Sequence, residues 1–198
     1  MEKCLIFCHG MYCTPESLKS LQRQAKGIKC IFPKAPTRTI SWPNGRERDV
    51  ISWYNYYSDN RGKPDVIEER NFNSQVRRIQ QIVRREVKRF GKKNVFVGGV
   101  SQGGTVAGAV ATIEGIGLIL SRSCFIFTDI MKDYKKDAKF PILVTSGYDD
   151  QVYPVPFQKK SLKCFPHAHW KLFPNIDHHK YSSDEIKYIV KWICGHII

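Results

Sequence analysis

The chain has 198 residues, 42% hydrophobic and 12% aromatic content, and 32 Lys+Arg against 18 Asp+Glu for a formal net charge of +14. That composition supplies enough apolar material for one globular core and excludes a disordered, collagen-like or coiled-coil chain. No apolar run reaches the roughly 18 residues of a membrane span, and the first ten positions pass from a short apolar stretch into polar residues without a small-residue cleavage site, so neither a span nor a signal peptide is read.

The seven cysteines (Cys4, Cys8, Cys13, Cys30, Cys124, Cys164 and Cys194) form an odd set without a C-x-x-C pair. They suggest neither a disulfide framework nor a structural zinc site, and a reducing, cytoplasmic setting is the economical expectation. The positive charge by itself fits nucleic acid, an anionic membrane or unmatched surface lysines equally well.

The first predicted element is a strand at Leu5–Cys8, followed by a helix over Pro15–Ala25 with Thr14 as N-cap, Pro15 at its first position and Gly27 beyond its end. A second strand is predicted at Cys30–Phe32. Thr37–Arg70 then breaks the pattern: it sets Trp42, Trp53, Tyr54, Tyr56 and Tyr57 among Pro, Asn, Gly and Asp, and reads as a lid or pocket wall. Val76, Ile79, Ile82, Val83, Val87 and Phe90 recur at helical spacing up to Gly91. The strand Val95–Gly98 runs into a small-residue helix, and strands follow at Gly117–Leu120, Ile142–Thr145 and Trp170–Phe173. The last helix, capped by Ser182 or Ser183, places Ile186, Ile189, Val190 and Ile193 on one face. This alternation predicts an α/β protein with a parallel sheet and helices on its faces. Without repeats, low-complexity tracts or a linker, residues 1–198 read as a single domain with an excursion at 37–70.

The most informative run is Asn94 to Val110, in which a buried strand turns at Gly99-Val100-Ser101-Gln102-Gly103 directly into a helix. This is the G-x-S-x-G nucleophile elbow in its strand–turn–helix setting, where small residues are needed because the serine sits on a strained turn hemmed in by neighbouring backbone. The alternative reading of so short a motif is a phosphate-binding or merely tight turn. An elbow serine needs a later carboxylate and then a later histidine. Asp149 and Asp150 follow the strand Ile142–Thr145, and His178 and His179 follow the last strand, so both partners are duplicated. His167 and His169 fall at the wrong edge of the sheet.

A tetrahedral intermediate also needs backbone N–H donors at its oxyanion. Gln102, the residue after the serine, supplies one. The loop His9-Gly10-Met11 after the first strand supplies the other, from Met11, with Tyr12 as its neighbour. His9, beside that loop, is assigned a supporting hydrogen-bonding role rather than that of the base.

With these residues in view, the chain resembles the acyl-protein thioesterase and carboxylesterase family of α/β-hydrolases. The likeness is carried by His9-Gly-Met11, Phe32-Pro-Lys-Ala-Pro36, Ser52-Trp-Tyr54, Gly99-Val-Ser-Gln-Gly-Gly104, Asp150-Gln-Val-Tyr-Pro154 and Phe173-Pro-Asn-Ile-Asp-His178. The resemblance implies an α/β-hydrolase fold, a mostly parallel sheet of about six or seven strands flanked by helices, with the aromatic-rich excursion over the site. It selects Asp150 and His178 from the duplicated pairs, making Ser101, Asp150 and His178 the implied catalytic set. Met11 and Gln102 form the implied oxyanion hole, and Tyr12, Trp53 and Tyr54 the implied substrate pocket. It further implies hydrolysis of ester or thioester bonds without metal or organic cofactor, on S-acylated protein, lysophospholipid or small esters. Four features depart from the family pattern: Met11-Tyr-Cys-Thr-Pro15 in the early loop, Asn55 after the Trp-aromatic pair, Asn175 near the histidine, and a short Glu114–Lys139 region. They bear on substrate choice more than on reaction class.

Arg77, Arg78, Arg84, Arg85, Lys88 and Arg89 lie on the polar side of the helix over Val76–Lys93. They read either as a solvated face or as a peripheral contact to anionic membrane. The functional alternative to a hydrolase is a catalytically inactive hydrolase-fold binding module for nucleic acid or anionic lipid. Against it stands the full set of catalytic residue types in the right order.

Overall fold

The structure is a computed structural model and describes residues 2–58, 66–122, 139–163, 165–179 and 181–195. In chain order its strands are β1 (Lys3–Cys8), β2 (Ile28–Ile31), β3 (Thr37–Trp42), β4 (Gly45–Ile51), β5 (Val95–Val100), β6 (Gly117–Ser121), β7 (Ile142–Gly147) and β8 (His169–Phe173). Its α-helices are α1 (Lys19–Gln24), α2 (Glu69–Phe90), α3 (Gln102–Glu114), α4 (Val155–Leu162) and α5 (Ser183–Ile193). A six-stranded parallel sheet has the order β2-β1-β5-β6-β7-β8. β3 and β4 form a separate antiparallel hairpin.

The central strands are apolar on both faces because helices cover both. Side-chain alternation divides them cleanly: Cys4, Ile6 and Cys8 of β1, Val95 and Val97 of β5 and Leu118 and Leu120 of β6 enter the core shared with α2, α3 and the hairpin. Leu5, Phe7, Phe96, Val100 and Ile119 point the other way, onto Leu18, Leu21, Ile186, Ile189 and Ile193 of the α1/α5 layer. The strand-to-helix alternation in the sequence therefore places the sheet correctly, with β2 beginning two residues ahead of the predicted start at Cys30.

Several boundaries differ for local reasons. Pro15–Leu18 is a 3-10 turn and only Lys19–Gln24 is α-helical, and Thr14 makes no side-chain cap bond. α2 starts at Glu69, well before Val76, because Phe72 and Gln75 already lie on its buried face. α5 begins as read, with the Ser182 hydroxyl accepting from the Glu185 amide. Inside the excursion the hairpin is a regular element that periodicity missed. β4 spends Gly45–Asp49 in solvent and buries only Val50 fully, so the alternation of a half-buried strand never develops. The eight-residue α4 is likewise absent from the predicted elements, being too short to show a helical repeat.

The basic side of α2 is largely spoken for within the molecule. Arg78 donates to the Lys34 carbonyl (2.8 Å), Arg84 pairs with Glu114 (2.8 Å), and Arg85 pairs with Glu86 (2.9 Å), to which Arg89 also lies at 4.0 Å. Glu86 is buried and also holds Lys29 of β2 (2.7 Å). Burial alone would raise its carboxyl, but the hydrogen bonds from Lys29 and Arg85 outweigh that and hold it below the ordinary range. Among the described residues no helix is long and apolar enough to cross a membrane. Cys124, Cys164 and most of the short Glu114–Lys139 region lie outside the described residues.

Candidate active site

β5 ends at Val100, and Ser101 makes the turn into α3 with φ 52° and ψ −126°, a backbone that residues with a Cβ adopt rarely. What forces it is the closeness of strand, helix and neighbouring loop. A Cβ on Gly99 would stand 2.5 Å from the Gly103 carbonyl, and one on Gly103 would stand 2.3 Å from the His9 carbonyl oxygen. The glycines flanking the serine are thus required by contact, and Ser101 stands at the carboxyl edge of the sheet and the N-terminus of α3.

The loops after β7 and β8 meet the serine there. His178 Nε2 lies 2.9 Å from Ser101 Oγ, and His178 Nδ1 lies 2.9 Å from Asp150 Oδ2. Asp150 is buried, and its Oδ1 accepts the Val152 and Tyr153 amides (2.9 and 2.7 Å), so the carboxylate is fixed before it meets the imidazole. The Tyr153 ring sits edge-on to His178 at 5.2 Å. Of the duplicated candidates, Asp149 is exposed and gives its amide to the Ile176 carbonyl (3.1 Å). His179 lies edge-on to His178 (5.3 Å) and lines the same cavity, its amide donating to Asp177 (2.8 Å). The imidazole within hydrogen-bond distance of Ser101 Oγ is that of His178. His169, at the start of β8, is against Tyr188, away from the serine.

The early loop lies against the serine from the other side: a Cβ on Gly10 would be in ordinary contact with Ser101 Cβ at 3.7 Å. Tyr12 is left-handed (φ 62°) and its amide is taken by the Ile51 carbonyl (2.9 Å), while Met11 beside it lines the cavity over Ser101. His9 is buried behind the loop. Its Nδ1 donates to the Gly10 carbonyl (2.7 Å) and its Nε2 accepts from the Ala35 amide (3.0 Å). This arrangement requires the neutral ring, and burial lowers its pKa in the same sense.

The Gln102 side chain has a part that the motif did not announce. Its Oε1 accepts from the buried Trp53 amide (2.8 Å), while its Nε2 donates to the Tyr54 carbonyl (2.9 Å) and the Ser52 hydroxyl (2.8 Å). The elbow is thereby clasped to residues 52–54.

A cavity of about 350 Å³ opens over Ser101, walled by Met11, Tyr12, Trp42, Tyr56, Tyr153 and Tyr181 among others. Of the expected pocket residues Tyr12 lines it, but Trp53 and Tyr54 do not: both are buried in the core, Trp53 against His9 and under the Arg78 guanidinium. The aromatic wall consists instead of Trp42 stacked on Tyr56 (5.4 Å). Glu47 on the hairpin accepts from Tyr12 Oη (2.6 Å) and Trp42 Nε1 (3.0 Å). These contacts lower the Glu47 carboxyl, whereas partial burial, together with Glu47, pushes the Tyr12 phenol up to about 12. The aromatic excess in the excursion was a visible signal, but which rings face the cavity depends on the unread hairpin.

A family model described as Phospholipase/Carboxylesterase matches residues 1–196. The chain belongs to the phospholipase/carboxylesterase family. Its fold is that of the α/β-hydrolases of this family. Arabidopsis thaliana SOBER1 superposes with a TM-score of 0.82 at 23% identity, covering 100% of both chains. Zea mays acyl-protein thioesterase 2 gives 0.75 at 16% (98% of this chain, 93% of that one), and the Bacillus cereus carboxylesterase 0.72 at 12% (98% and 88%). A proline iminopeptidase of Levilactobacillus brevis is 32% identical over 77 residues, which are 35% of this chain and 25% of the peptidase. As a phospholipase/carboxylesterase family member the chain is a hydrolase of the ester type, matching the fold and family expected from the elbow and its flanking motifs.

Proposed function

We propose that this protein is a serine hydrolase of carboxylic ester or thioester bonds. Ser101 Oγ attacks the acyl carbonyl and gives its proton to His178 Nε2, while Asp150 holds Nδ1–H and steadies the imidazolium. The oxyanion accepts from the Gln102 and Met11 amides at the positive end of α3. Collapse of the tetrahedral adduct breaks the bond to the leaving alcohol or thiol, which takes the proton from His178. Water then repeats the sequence on the acyl-enzyme, releasing the acid and restoring Ser101.

The observation that carries this reading is the unbroken line Ser101 Oγ, His178, Asp150 at 2.9 Å per link. The aromatic lining of the cavity favours an apolar acyl group, and S-acylated protein, lysophospholipid and small esters are the substrate classes to be compared. Intact mass after exposure to a fluorophosphonate tests the chemistry: one adduct is expected on the parent and none on Ser101→Ala, which keeps its fold. An unlabelled parent that is folded, or full turnover by Ser101→Ala, refutes it. Turnover of palmitoyl thioester against short oxyesters then ranks the donors. Peripheral attachment to anionic membrane would rest on the exposed charge of α2, led by Arg77 and Lys88 with the outer flanks of Arg84, Arg85 and Arg89. Sedimentation that does not rise with phosphatidylserine content refutes that part.

A further inference from the structure

We infer that Arg122 is a positioning residue that holds the His178 loop in register with Ser101 and Asp150, an inference that rests on the hydrolase reading above. Arg122 follows β6, the strand between β5, which delivers Ser101, and β7, which delivers Asp150. It is fully buried and has a left-handed backbone (φ 43°), its amide donating to the Thr145 carbonyl (2.9 Å). Strained backbone of this kind persists only where surrounding contacts over-determine it.

Those contacts lead to both flanks of the histidine. The guanidinium lies 4.3 Å over the Tyr181 ring, and its Nη1 reaches the Asp177 carbonyl at 3.5 Å, the long end of a hydrogen bond. Asp177 immediately precedes His178, and Tyr181 follows shortly after and walls the cavity. The other side of the guanidinium faces Glu185 at 3.6 Å. Glu185 is buried at the start of α5, where its Oε1 accepts from Ser121 Oγ (2.7 Å) and Thr145 Oγ1 (2.8 Å). The ends of β6 and β7 therefore anchor a carboxylate, the carboxylate faces the guanidinium at ion-pair distance, and the planar guanidinium bears on the loop. Ile176 is fastened separately, through its carbonyl to the Asp149 amide (3.1 Å). Between that point and Tyr181, Arg122 braces the backbone that carries His178.

The test compares Arg122→Lys, Arg122→Met and the charge-balanced double variant Arg122→Met/Glu185→Gln, since the single Met variant leaves Glu185 as an uncompensated buried charge. Turnover is measured per active site titrated with a fluorophosphonate, so loss of folded protein does not register as loss of rate. Alongside it, the downfield imidazole N–H resonance of His178 is recorded by NMR. The inference requires kcat per titrated site to fall by about 10- to 100-fold with KM changing less than about threefold. It also requires the resonance to weaken or shift although Asp150 is untouched. Lys, which keeps the charge but not the planar fork, should restore part of both. Unchanged kcat per site and an unchanged resonance in any folded variant lacking the guanidinium overturn it. The resonance is independent of turnover: if the parent hydrolyses nothing, the hydrolase reading fails, and the N–H signal still decides whether Arg122 holds His178.

Discussion

Replacing Gln102 with Met keeps roughly the side-chain length and the backbone N–H assigned to the oxyanion, but removes the amide that ties the elbow to residues 52–54. The buried Trp53 N–H loses its acceptor at 2.8 Å, while the Tyr54 carbonyl retains the Ser52 hydroxyl at 2.7 Å. One orphaned buried donor and the two lost Nε2 bonds, to Tyr54 and Ser52, together cost about 2–6 kcal/mol. For a chain of this size a 3 kcal/mol loss lowers Tm by roughly 6–12 °C. Ser52→Ala is the control: the Gln102 bonds to Trp53 and Tyr54 survive it, so it should cost about 1 kcal/mol. Urea unfolding gives both values from the midpoint at constant m. Turnover of Gln102→Met should stay within about tenfold of the parent, since the oxyanion donor remains. A Gln102→Met protein within about 0.5 kcal/mol of the parent would refute the clasp, and so would a Ser52→Ala protein destabilised as much as Gln102→Met.

Asp150→Asn preserves the acceptor for the Val152 and Tyr153 amides but favours the wrong imidazole tautomer, so kcat at neutral pH should drop by about 10³- to 10⁴-fold with little change in Tm; a drop of less than tenfold argues against its role. Trp42→Ala opens the aromatic wall and should raise KM for octanoyl esters about tenfold while leaving acetyl esters near the parent value; equal effects on both would show that Trp42 acts through the fold. Acid should destabilise in two steps. His9 has a lowered native pKa, so the unfolded chain binds the extra proton and stability falls as pH drops below about 6.5, by at most ~1.4 kcal/mol per pH unit. Glu86, also lowered, adds a second loss as pH falls from about 4.5. Urea midpoints from pH 7.5 to 4 check this, and His9→Gln should flatten the upper step.

The parallel sheet was legible because each of its strands is a short apolar run set off by helical periodicity, and the elbow because its glycines are demanded by backbone contact at 2.3 and 2.5 Å. Asp150 and His178 were legible only as members of adjacent pairs. A loop residue's direction is set by its own turn, here the Val152 and Tyr153 amides on Asp150, and one sequence carries no sign of that. The pocket wall was misassigned for a similar reason. Trp53 looked like a lining residue, but Arg78 and His9 bury it, and Trp42 reaches the cavity only because β3 pairs with a strand almost entirely in solvent. The side-chain roles of Gln102 and Arg122 were silent because their partners lie far along the chain.

α2 ends beside the amino-terminal edge of the sheet, where Lys29 meets Glu86 and where Lys92 and Lys93 follow directly before β5. Ser101 stands past the other end of β5, six residues on, which is roughly 20 Å of extended chain. The exposed cations at that end and the mouth over Ser101 thus lie beyond opposite ends of β5. A polyanion gripping Arg85, Lys88, Arg89, Lys92 and Lys93 would moor the protein with the mouth pointed outward, so capture by charge and access to the acyl donor are separable. An anionic support loaded through that end should leave the immobilised protein open to dissolved substrate.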